Sequence, residues 1–243
     1  TISGRLGYVM RILGRELPPY FEEYWDTISK EIDVPVEYIE EAHSAIFGDK
    51  GYDVISPDLP DWMDLPDEDL AYHVAHELTH MAFRSRGYPK TVRGTHYPID
   101  SAEARIGGDL EELIFHPPLE QTLRGAGFRW EFINERLVET VLQGISSSSP
   151  PEFGTPWFFT WAIRYCELKM ELSLQQWSQL YGGFKTTSQD VVDLGEELAD
   201  IIREVGWGTR EQALEALIKV RDSLGLKVNE VVLVLDPISG KIL

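Results

Sequence analysis

"AYHVAHELTHMAF", residues 71–83, sets three histidines and a glutamate inside an otherwise apolar stretch. Val74, Ala75, Leu78, Met81, Ala82 and Phe83 recur at helical spacing, so the segment reads as a helix with a face turned toward a core. Acidic residues between Pro66 and Asp69 suit the positive end of the helix dipole, and Gly87 followed by Pro89 supplies the stop. Polar rings on such a helix need a partner that offsets their desolvation. Residues four apart share a face one turn from each other, so His76 and His80 direct two imidazoles at one point. A metal ion at that point is the reading that accounts for His76, Glu77 and His80 together.

Working outward, helices are expected over 18–30 and 35–47, followed by a short strand, "GYDVISP", over 51–57. After the histidine-bearing helix, another starts at Asp100, capped in the D-x-x-E pattern with Glu103, and ends near Phe115 ahead of Pro117 and Pro118. Helical patterns follow at 118–126, 130–143, 156–172, 174–181, 188–205 and 210–224, the last opened by the capping box "TREQ". "NEVVLVLDPISGKIL" at the C-terminus reads as a strand and a turn. The expected fold is mainly α with a small β component. The Ser-, Pro- and Gly-rich stretch 144–156 is read as a loop or hinge between a metal-binding region, 1–143, and a helical region with a terminal strand, 157–243, unless the two form one continuous domain.

The 243 residues are 43% apolar and include seven tryptophans, enough for a substantial core. No apolar run reaches the ~18 residues a membrane helix needs, so no membrane span is expected. Forty-one acidic against 22 basic residues give a net charge of −19, a field that repels a phosphate backbone and argues against a nucleic-acid partner. Cys166 is the single cysteine, which excludes an intramolecular disulfide and a thiolate metal cluster and fits a reducing, cytoplasmic compartment. The sequence starts at Thr1 without a basic-then-apolar leader, so a processed or secreted form is the alternative expectation.

His76, Glu77 and His80 form H-E-x-x-H, in which two neutral imidazoles hold Zn2+ and the carboxylate takes a proton from the activated water. On its capped helix, "HELTH" resembles the active-site helix of the zincin metallopeptidases over some 40 residues; the rest of the sequence resembles no named family. Phe83 and Arg86 stand where the three-histidine branch has glycine and histidine, so the resemblance is to the gluzincin-like branch. It implies a zinc-dependent hydrolase acting on a peptide or protein substrate, with Glu77 as general base and a glutamate from a later helix as third ligand. The alternative is a non-catalytic metal-binding regulatory or protein-interaction protein.

"DSAEARIGGDLEELIFHPP" offers candidates for that third ligand. Ala102, Ile106, Leu110, Leu113 and Ile114 form its apolar stripe, and Asp109, Glu112 and His116 share one flank. Glu112 is the first choice and Glu111 the second. His116 is a further ligand candidate, a group behind the ligands or a transition-state donor, its geometry disturbed by Pro117, and Asp109 suits the orienting of a ligating histidine. The thermolysin-type N-E-x-x-S-D sequence around the third ligand is absent. Glu131, Glu135 and Glu139 are a rival source that reads more simply as a wetted helix face. His96 and Tyr97 are candidate oxyanion donors, and His73 reads as a helix-edge residue. By the resemblance, "GYDVISP" is the strand that receives the substrate as an added strand.

Overall fold

In a computed structural model the chain is mainly α-helical with a small β component, and residues 11–12, 14–33, 36–38, 53–55, 66–129 and 131–243 are described. Two compact units form: Thr1–Arg86 with Leu119–Phe132, and Gly87–Pro118 with Ile133–Leu243. Among the described residues, no helix is long and apolar enough to cross a membrane.

The first unit opens with a two-residue hairpin, β1 (Arg11–Ile12) against β2 (Arg15–Glu16), followed by α1 (Pro19–Ile28). β3 (Val36–Tyr38) pairs in parallel with β4 (Asp53–Ile55), Val36 opposite Asp53 and Tyr38 opposite Ile55. The strand expected in "GYDVISP" is therefore present, but residues 36–38 are strand where the start of a helix is expected. Val and Tyr favour a pleated neighbour when one is available, which overrides the helical pattern. The remainder of the 35–47 segment, 39–47, lies outside the described residues.

α2 (Asp67–Ser85) is the helix built round the motif, with Asp67, Glu68 and Asp69 in its first turn. Leu70, Ala71, Val74, Ala75, Leu78 and Ala82 are fully buried. α1 lays Phe21, Tyr24 and Ile28 against it, and the Tyr24 hydroxyl meets Thr79 Oγ1 at 2.5 Å. Thr79 donates back to the carbonyl of Ala75 at 2.6 Å. Tyr20 and Tyr24 set ring edges against Phe128, centroids 5.0 and 5.3 Å apart. At the far end of α2, Ser85 donates to Asp33 at 2.6 Å and Arg86 pairs with Glu31. α2 is thus fixed in its unit along both its length and its C-terminus.

α3 (Ala102–Gly125) contributes its residues up to Pro118 to the second unit and the rest to the first. It is one helix running through Pro117 and Pro118, where separate helices over 100–115 and 118–126 are expected. An interior proline costs about 3 kcal/mol or more. Leu113, Ile114, Leu119 and Leu123, on either side of the break, are all fully buried, at roughly 1.5–3 kcal/mol each, and that burial carries the helix through. Its N-terminal cap is Ser101, whose hydroxyl accepts from the Ala104 N–H at 3.2 Å, one residue beyond the expected Asp100.

The rest of the second unit is α4 (Glu131–Ser147, its first turn shared with the first unit), α5 (Pro156–Glu171), α6 (Leu174–Thr187), α7 (Gln189–Val205), α8 (Arg210–Ser223) and a three-stranded antiparallel sheet. Stretch 144–156 begins as the last turn of α4 and ends at the first residue of α5. α6 continues past Gly182 and Gly183 to Thr187, longer than the expected 174–181. Thr155, Ser173, Ser188 and Thr209 each cap a following helix with the side-chain oxygen. The core is aromatic: Phe158, Trp161, Tyr165 and Phe184 are buried with Leu168, Leu180 and Val191. α5 and α7 meet where Gly195 faces Tyr165, so close that a Cβ on Gly195 would stand 2.3 Å from the Tyr165 ring. β5 (Lys90–Arg93), β6 (Val232–Asp236) and β7 (Lys241–Ile242) make the sheet, Lys90 opposite Leu235 and Arg93 opposite Val232. β6 is the strand expected at the C-terminus, and the expected turn leads from it into β7, a second strand that is not expected. β5 is not expected, because its sequence, KTVR, has one apolar residue and no alternation to reveal it.

Candidate metal centre

Within the first unit, Tyr72, His76 and His80 form an i, i+4, i+8 stripe on α2. The two histidine Nε2 atoms approach to 3.0 Å, with ring centroids 4.7 Å apart. Both rings are half-buried, and Glu77 is half-buried beside them. The contact is that of a ring-to-ring hydrogen bond, and nitrogens bound at 2.0–2.1 Å to one tetrahedral ion stand about 3.3 Å apart, so a small separation of the rings would admit a shared ion. The other face of His76 meets Glu120 from the last turns of α3, Nδ1 to Oε1 3.9 Å. Tyr72, 8% exposed, donates its hydroxyl to the same Glu120 oxygen, and Glu120 is itself only 9% exposed. A carboxylate facing the ring nitrogen turned away from the ion orients a ligating imidazole and raises its basicity. Two imidazoles with nearby carboxylates are a donor set that could hold a divalent metal ion with nitrogen preference, unlike the all-oxygen sets that suit calcium or magnesium.

Within the second unit, the other α3 candidates meet partners on α5. His116 Nδ1 lies 3.0 Å from Glu167 and 3.2 Å from Glu171, both on α5, and Glu112 has an oxygen in the same cluster with His116 and Glu167. Arg164 closes it with a 2.6 Å contact to Glu167. Burial alone would lower the His116 pKa, but hydrogen bonds to Glu167 and Glu171 raise it well above the usual histidine range. Burial pushes the Glu112 carboxyl up, against the opposing pull of His116. For Glu167 the burial effect is outweighed by the His116 hydrogen bond and the Arg164 charge, and its pKa falls. Asp109 accepts from Thr160 Oγ1 at 2.7 Å, and its carboxyl is raised by burial.

Glu111 is the carboxylate that secures β5, taking the Thr91 hydroxyl at 2.8 Å and the Thr91 backbone N–H. His96 is 71% exposed and 3.7 Å from Glu230, and the Tyr97 hydroxyl reaches the carbonyl of Asn229 at 3.5 Å. His73 is half-buried on α2. Glu135 and Glu139 are exposed, as expected of a wetted face, and the side chain of Glu131 lies outside the described residues.

Glu120, Tyr72, Glu167 and Glu171 are not among the residues picked from the sequence. Ending a helix before Pro117 hides Glu120; a continuous helix places Glu112, His116 and Glu120 four apart on one stripe. Glu167 and Glu171 carry the same i, i+4 signal on α5, although nothing local to α5 says which histidine they serve. No protein-family model matches the chain, and no curated protein sequence or solved structure matches it either.

Proposed function

We propose that the protein is a zinc-dependent hydrolase, most simply a metallopeptidase, with His76 and His80 as ligands and Glu77 as general base. The observation that carries this reading is the 3.0 Å approach of the two Nε2 atoms on one face of α2, with Glu77 between them in sequence. When bound, zinc supplies a Lewis acid that polarises the scissile carbonyl and acidifies water near neutral pH. Glu77 accepts the proton from the attacking water and delivers it to the departing nitrogen. Glu120, itself held by Tyr72, stands 3.9 Å from His76 Nδ1, close enough to reach that nitrogen and orient the ring after a small shift. The third protein ligand is sought on α3 between Glu112, the choice from sequence, and His116.

Elemental analysis of protein purified without added zinc, beside the His76→Ala/His80→Ala double variant, tests the ligands. One zinc per chain, lost in the double variant, is expected, and equal metal content in both overturns the proposal. Glu77→Gln should keep the metal and abolish hydrolysis of a peptide library. Metal retention with unchanged hydrolysis would remove Glu77 from its role, and no hydrolysis by the unaltered protein would favour the non-catalytic metal-binding alternative. Glu112→Gln and His116→Ala, assayed for both metal and hydrolysis, identify the third ligand as the position where both are lost.

A further inference from the structure

Between α4, α5 and α6 of the second unit lies a cavity of about 280 Å³ that the zinc proposal does not use. Its walls include Val141 and Ile145 from α4, Trp157 and Trp161 from α5, and Phe184 from α6. Trp161 and Phe184 are almost fully buried, while Trp157 is half exposed, so the cavity is floored by aromatic core and open on the Trp157 side. Trp161 meets both neighbours edge-on, centroids 5.8 Å from Trp157 and 5.9 Å from Phe184. A dry cavity of about 150 Å³ lined by apolar side chains accepts benzene. The larger space here holds a six-membered ring with room for a polar group attached.

The polar lining fixes what that group is. Thr160 commits its hydroxyl hydrogen to Asp109, so it offers the cavity acceptor lone pairs. Arg164 is the one charged residue of the lining. One of its nitrogens contacts Glu167 at 2.6 Å, and a guanidinium has five N–H donors, so others remain for a carbonyl. Arg164 already lies in the field of Glu167, Glu112, Asp109 and Glu171, which repels a second anion brought to it. A cation entering the cavity meets the guanidinium first. An uncharged amide is the polar group that suits both conditions, its oxygen accepting from Arg164.

We infer that this cavity binds an aromatic side chain carried on an uncharged amide backbone, as in an internal aromatic residue of a peptide. The inference stands apart from the zinc proposal, because it concerns binding in the second unit and its readout involves neither metal nor hydrolysis.

Titration of the full chain with N-acetyl-L-phenylalaninamide, followed by the indole N–H resonances of its seven tryptophans, tests it. Trp157→Phe and Trp161→Phe assign the two signals that should shift. Gly144 lines the cavity and has nothing within 4 Å of an added Cβ, so Gly144→Leu fills the space without a clash at its first carbon. That variant should weaken binding by about tenfold or more, since the ring loses most of its buried area. Arg164→Gln should weaken it less, leaving the ring's site in place. Circular dichroism of both variants confirms that they fold, and should Gly144→Leu fail to fold, Ser148→Leu blocks the same cavity from its other lining position. N-acetylglycinamide should not bind. The inference is overturned by the absence of a saturable shift, by equal binding of N-acetylglycinamide, by undiminished binding in folded Gly144→Leu, or by tighter binding of phenylacetate or phenethylammonium.

Discussion

Tyr72→Phe removes one oxygen atom and tests whether Glu120 organises the proposed metal centre. The hydroxyl donates to a carboxylate in a pair whose members are 8% and 9% exposed, so water does not replace the lost donor. A hydrogen bond to a charged group contributes about 1.5–3 kcal/mol. For a domain of this size about 2–4 °C accompanies each kcal/mol, so the melting temperature should fall by roughly 3–12 °C. Glu120, 3.9 Å from His76 Nδ1, loses the donor that keeps it facing that ring, and on the proposal that it orients the ring when the metal binds, affinity should fall roughly 10–100-fold. That factor corresponds to about 1.4–2.7 kcal/mol. Competition with a chromophoric zinc chelator measures the affinity, and calorimetry on the apoprotein measures the stability separately. A lower melting temperature with unchanged zinc affinity would refute the orienting role, leaving the pair as a support of the fold only.

Gly195→Ala should destabilise by about 1–2 kcal/mol in urea melts, since a Cβ 2.3 Å from the Tyr165 ring meets a fully buried side chain, and overpacking outweighs the gain of ~1 kcal/mol in helix propensity. Gly182→Ala, with nothing within 4 Å of its added Cβ, should instead stabilise; equal effects at the two positions would contradict the close approach of α5 and α7. Cys166 is fully buried and burial pushes its thiol up to about 12, so at pH 8 it stays neutral and should resist iodoacetamide until urea is added, an expectation that stoichiometric labelling of native protein would defeat. Free zinc at a hundred times its dissociation constant should raise stability by about 2.7 kcal/mol, and the His76→Ala/His80→Ala protein should show no such rise in a thermal melt.

α2 was readable almost to the residue because its signals agree: three acids at the positive end, an apolar pattern of helical period and a glycine after the last turn. α3 was not, because two adjacent prolines are a strong local argument against helix, and only the burial of Leu119 and Leu123 beyond them reverses it. A sequence pattern records where apolar residues recur; it does not record which of them a neighbouring element will cover. The same limit applies to β3 and β5, whose pairing partners lie 17 and about 140 positions further along the chain. For the site, the i, i+4 pair His76 and His80 was legible within one helix. The groups behind the histidines, Glu120 for His76 and Glu167 with Glu171 for His116, come from other helices and become evident only once those helices are placed.

The path of the chain also bears on synthesis. Phe128 and Glu120 belong to the unit that begins with the N-terminal hairpin, yet they are translated after residues 87–118, which join the other unit. A nascent chain released as far as residue 118 would carry His76 and His80 but neither the ring that Tyr20 and Tyr24 clasp nor the carboxylate beside His76. Fragments ending there should therefore be less stable and more readily cut by protease than the full chain, since residues through Phe132 are needed to complete this unit.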